Sequence, residues 1–119
     1  CALPISQQFD DAFSAADWEA VILTGECGGH GPVRLEQGAT DPGDPTAQRS
    51  RRSELASLEL ARQCGAGYTN EIGRYFCNVM YHHALGKTTQ AVFVHLPKGR
   101  RHSEHTAVLR RLIELIRTQ

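Results

Sequence analysis

Two short runs, AVILTG (20–25) and QAVFVHLP (90–97), are apolar at nearly every position and end at Gly or Pro. That is the pattern of strands buried on both faces. Around them the apolar spacing lengthens to that of helices. Ser6 is placed to cap a helix with Ile5, Phe9, Phe13 and Ala16 on one side. SELASLELARQCG (53–65) sets Leu55, Leu58 and Ala61 in register and offers Gly65 as a stop. SEHTAVLRRLIELIRT (103–118) gathers Val108, Leu109, Leu112, Leu115 and Ile116 into one stripe, the clearest helix of the chain. Short strands are expected in VRLEQGA (33–39) and around AGYT (66–69), and a helix within 71–85 that ends at Gly86. TDPGDPTAQRSRRS (40–53), rich in Pro, Gly and charge, reads as a loop.

Strands alternating with helices predict an α/β fold with a mostly parallel sheet. The 119 residues are expected to form one domain, residues 1–119, large enough to bury a core without staples. In such sheets sites sit at the carboxyl ends of the strands. Three features fall there: the loop GECGGH after the first strand, the YTN turn ahead of Cys77, and His95 near the end of VFVHLP.

Thirteen basic and thirteen acidic residues cancel, which gives no reason to expect a nucleic-acid or membrane partner. Lys98, Arg100, Arg101, His102 and His105 read as a solvated turn and helix start, and the RSRR run (49–52) as an exposed stretch. No run approaches the length of a membrane-spanning helix. The cysteines, Cys1, Cys27, Cys64 and Cys77, form no CxxC pair. Reduced thiols and a cytoplasmic location are therefore expected. Cys27 and His30 make half of a zinc spacing without a second half, and His82-His83 reads as a solvated or partly packed pair, so no metal or other cofactor is expected. The glycines of GECGGHG lack the Lys-Ser/Thr of a phosphate loop and fit a tight turn better. The chain opens on Cys1 in CALPIS, which fits either a fragment of a longer protein or a trimmed start.

A thiol hydrolase needs a nucleophile, a base and a group that orients the base. Cys77 falls where a helix begins, and the free N–H groups there favour a thiolate. His95 can take its proton and return it to a leaving amine, and Glu36 can hold the second imidazole nitrogen. The competing reading makes Cys77 a small apolar core filler. Of Tyr75 and Phe76, adjacent on that helix, one is expected in the core.

The segment YTNEIGRYFCN resembles the cysteine motif of pyroglutamyl peptidase I (pyrrolidone-carboxylate peptidase), with Gly73, Tyr75, Cys77 and Asn78 matching. VFVHLP resembles the family's strand ending in His and Pro, and GECGGHGPVRLEQGATD is similar to its glutamate motif, with Glu36 and Ala39 in place. The order Glu, Cys, His is the family's. The resemblance implies a metal-independent cysteine peptidase with an α/β/α sandwich fold that removes an amino-terminal pyroglutamyl residue from peptides. It implies Cys77, His95 and Glu36 as the catalytic triad and substrate contacts from Gly28, Gly29 and Asn78.

The chain departs from the family at several motif positions. Thr69 stands for a Ser, Ile72 for an Ala, and Glu26 for a Gln. The family's amino-terminal stretch, with its first strand and a Gly-Phe-x-Pro-Phe loop, has no counterpart in these 119 residues. The sheet is thus expected to be incomplete on that side, with an edge open to self-association into a homo-oligomer. Two alternatives follow: a diverged, non-catalytic binding or assembly subunit, or a hydrolase of another small amide.

Overall fold

The strand Ala91–Pro97 (β6) is buried at every position but Leu96, so both of its faces are covered. In the computed structural model, which describes residues 5–27, 31–44, 50–70, 76–99 and 101–119, it sits inside a four-stranded sheet. The sheet order is β1-β6-β2-β5, with β1 Val21–Cys27, β2 Arg34–Glu36 and β5 Gly67–Thr69. β1 runs parallel to β6, and β2 parallel to β5; the β2–β6 pair is antiparallel. The sheet is therefore mostly parallel, as the alternation of elements predicts. Among the described residues β1 pairs with β6 alone and lies at the sheet edge.

The two faces of β6 build two cores. Val92 and Val94 pack with Leu35, Leu55, Leu60, Ala61 and Leu112. This is the layer of helices α2 (Leu58–Cys64) and α4 (His102–Arg117). The odd-numbered Ala91 and Phe93 pack with Tyr81 and Leu85 of α3 (Phe76–Lys87) on the other face. Side chains alternate across a strand, so one apolar run feeds both layers. The first helix, α1 (Ile5–Ser14), joins the α3 side, where the Asp10 carboxylate lies 2.7 Å from His83 Nε2. The architecture is α/β with helices on both sides of the sheet.

Several boundaries differ from the sequence expectation for local reasons. Ser6 lies within α1 rather than capping it, and Ala16 falls beyond the helix end. Residues 53–57 do not extend α2: Ser53 Oγ donates to the Ala91 carbonyl and accepts from the amides of Leu55 and Ala56. Ser57 caps the helix instead, its Oγ accepting from Leu60 N at 3.0 Å. Gly65 ends α2 in the left-handed region at φ 79° with its amide bonded back into the helix, the conformation that favours glycine. The 33–39 stretch splits at Gln37 into β2 and a second strand, β3 (Gly38–Thr40). The 40–53 segment is not all loop, because β4 (Ser50–Arg52) pairs antiparallel with β3. There Arg51 donates to the His82 carbonyl at 2.8 Å. Phe76 is 60% exposed and is not a core residue.

Candidate active site

Glu36 ends β2 and has no exposed surface. An ionised carboxylate without water is costly unless it is paired and hydrogen-bonded. Thr69, its direct partner across the parallel β2–β5 pair, places Oγ1 2.9 Å from both carboxylate oxygens and donates to them. Tyr81 of α3 donates its hydroxyl to the Glu36 carbonyl at 2.8 Å. Burial pushes the Tyr81 phenol up to about 12, so it stays a donor at neutral pH. Arg34 Nε approaches Oε1 at 3.9 Å from the half-exposed side.

His95 is 5% exposed, and its Nε2 lies 3.3 Å from Glu36 Oε1. That is ion-pair distance without the alignment of a hydrogen bond. The second ring nitrogen, Nδ1, is buried and has no hydrogen-bond partner among the described residues. Burial, aided by the Arg34 guanidinium, pushes the His95 imidazole below its ordinary value of 6.5. At neutral pH it is therefore the neutral base rather than the imidazolium.

Cys77 is the second residue of α3 and is partly buried. Gly25 of β1 connects it to the histidine. Gly25 is the register partner of His95. A Cβ built on Gly25 would lie 3.1 Å from Cys77 Sγ and 2.7 Å from the Phe93 ring. The thiol thus lies over the strand position beside His95, and strands are about 4.8 Å apart. The Phe93 and His95 rings are 5.0 Å apart. In front of Cys77 opens a cleft of about 650 Å³ between β1, α1 and α3, walled by Phe9, Leu23, Phe76, Met80 and Phe93. The size and apolar walls suit a small ligand.

Cys77, His95 and Glu36 lie on the same face of the sheet: Glu36, at the end of β2, is opposite Phe93 of the antiparallel β6, two residues before His95, and Cys77 comes over Gly25 from the start of α3. Asn78 does not join them. It is fully buried, its Oδ1 accepts from Thr40 N and its Nδ2 donates to Thr40 O, both at 2.8 Å. It anchors α3 to β3. Gly28, Gly29, Gly73 and Tyr75 lie outside the described residues, as does His30 of the candidate half zinc site. Sequence reasoning placed the YTN turn, with Thr69, near the site but gave Thr69 no role, and it did not assign Tyr81 or Arg34. Register and packing set their contacts with Glu36.

No protein-family model matches the chain, and no curated protein matches it in sequence. Solved structures do share its fold. A glutamate-to-glutamine mutant of pyrrolidone carboxyl peptidase from the hyperthermophile Pyrococcus furiosus superposes with a TM-score of 0.79 at 16% identity, over 96% of this chain and 76% of that one. The structure reported for that peptidase and its Cys-free mutant gives 0.79 at 15% identity, over 95% and 76%. At this identity the likeness establishes the fold.

Proposed function

We propose that this chain is a cysteine peptidase that removes an amino-terminal pyroglutamyl residue from peptides, with Cys77, His95 and Glu36 as its catalytic residues. One observation carries the reading. His95 is buried with a carboxylate 3.3 Å from Nε2 and, among the described residues, no hydrogen-bond partner on Nδ1, while Cys77, which lines the apolar cleft, packs over Gly25, the register partner of His95. A buried polar atom left without a partner costs about 1–3 kcal/mol. A purely structural histidine gains nothing for that cost, whereas a general base needs the vacant nitrogen. The shared fold and the sequence motifs agree with this reading.

His95 Nδ1 takes the Cys77 proton, and the helix N-terminus favours the resulting thiolate. The thiolate attacks the pyroglutamyl carbonyl. Main-chain N–H groups at the start of α3 are the natural donors to the oxyanion. Glu36 stabilises the imidazolium at Nε2 while Nδ1–H protonates the leaving amine. Water, deprotonated by the same nitrogen, then cleaves the thioester and releases pyroglutamate. The uncharged lactam ring suits walls made of Phe76, Met80 and Phe93.

The test is release of a chromogenic amine from a pyroglutamyl amide by the wild-type chain, Cys77→Ala and His95→Gln. Turnover abolished in Cys77→Ala and lowered at least a hundredfold in His95→Gln is expected. No turnover by any of the three would overturn the pyroglutamyl peptidase reading.

A further inference from the structure

We propose that Thr69 is the positioning residue of this site, holding the Glu36 carboxylate in the orientation that presents Oε1 to His95. The inference rests on the reading of Cys77, His95 and Glu36 given above.

A buried carboxylate can turn about its last side-chain bond, and that torsion is soft. Nothing about Glu36 itself fixes the plane of its carboxylate relative to the imidazole. Thr69 Oγ1 stands 2.9 Å from both oxygens, equidistant from the two. A single hydroxyl proton shared in this way opposes rotation in either direction. Thr69 is well placed for the task. Its β-branched side chain has few rotamers. Its backbone is fixed by the β2–β5 ladder and by its carbonyl, which accepts from Gln37 N at 2.7 Å. Two other described neighbours make different contacts. Arg34 stands off at 3.9 Å and is partly exposed, and Tyr81 bonds the main-chain carbonyl of Glu36. Thr69 reaches the site through its bonds to the Glu36 carboxylate, so it acts through Glu36. Among the described residues, the charged and titratable groups near Thr69 and Glu36 include Arg34, His95 and Tyr81, with Cys77 on the same face, all retained in the variants below.

The experiment compares wild type, Thr69→Val and Thr69→Ser. Two readouts are taken: kcat and KM on a pyroglutamyl amide, and the His95 ring nitrogen resonances across a pH titration. Thr69→Val keeps the shape and removes the hydroxyl. It is expected to lower kcat about tenfold to hundredfold with KM nearly unchanged. It is also expected to move the His95 resonances, while Thr69→Ser restores both. Should Thr69→Val fail to fold, Thr69→Ala is read in the same way. A folded variant whose His95 resonances match wild type overturns the proposal. The resonances need no turnover. A wild-type chain inactive on the amide removes the peptidase reading, and the resonances still decide whether Thr69 orients Glu36 toward His95.

Discussion

Gly25 and His95 face each other across the parallel β1–β6 pair, and the space left by the missing Gly25 side chain is filled from α3 by Cys77 and from β6 by Phe93. The glycine is required here for close approach. Gly25→Ala puts a methyl group 2.7 Å from the Phe93 ring and 3.1 Å from the thiol. Overpacking of this kind costs about 1–3 kcal/mol. Gly25→Ala is expected to lower the urea midpoint and to displace Cys77. Alkylation of Cys77 at pH near 6 should slow in this variant, and equal rates in wild type and variant would refute the contact.

The protonation state of His95 sets a pH dependence. Its folded value lies below 6.5 because of burial and Arg34. A base with a depressed folded value makes the unfolded chain the stronger proton binder. Stability is therefore fully present above about 6.5 and is lost as pH falls from there through the folded value. The activity limb follows the same sign: kcat/KM should hold to below pH 6.5 and then fall. In His95→Gln the pH dependence of the unfolding midpoint in that window should flatten. An unchanged slope would place its origin elsewhere.

Asn78 spends its whole amide on Thr40. Asn78→Ala leaves a main-chain donor and an acceptor at Thr40 without their partners, at about 1–3 kcal/mol each at full burial. A drop in thermal midpoint of several degrees is expected. Asn78→Asp should not rescue it, since a carboxylate can accept from Thr40 N but cannot donate to Thr40 O. Calorimetry of the two variants checks this.

Ser53 holds the chain where it passes from β4 into the first turn before α2, with three bonds through one hydroxyl. Ser53→Ala is expected to cost about 2 kcal/mol, whereas Ser57→Ala, which removes a helix cap, should cost about 1 kcal/mol. Amide exchange near Ala91 should speed up in the first variant and not in the second.

The sequence by itself determined the elements whose pattern is local and strong. β1, β6 and α4 lie within about two residues of where their apolar patterns place them, because burial on both faces or along one stripe leaves a direct mark on residue type. The stop at Gly65 was legible for the same reason: a left-handed residue favours glycine. Cys77, His95 and Glu36 could be named as candidates from their chemistry and motif spacing. That they share one face was decided by register, which pairs Gly25 with His95, Glu36 with Phe93, and Thr69 with Glu36. These pairings join residues far apart in sequence, and a shift of one position would turn each side chain to the other layer. Thr69, Tyr81 and Asn78 show the limit most clearly. A threonine, a tyrosine and an asparagine carry no periodic signal. Whether each orients a carboxylate, bonds a carbonyl or ties a helix to a strand depends on which backbone tertiary packing brings within 3 Å.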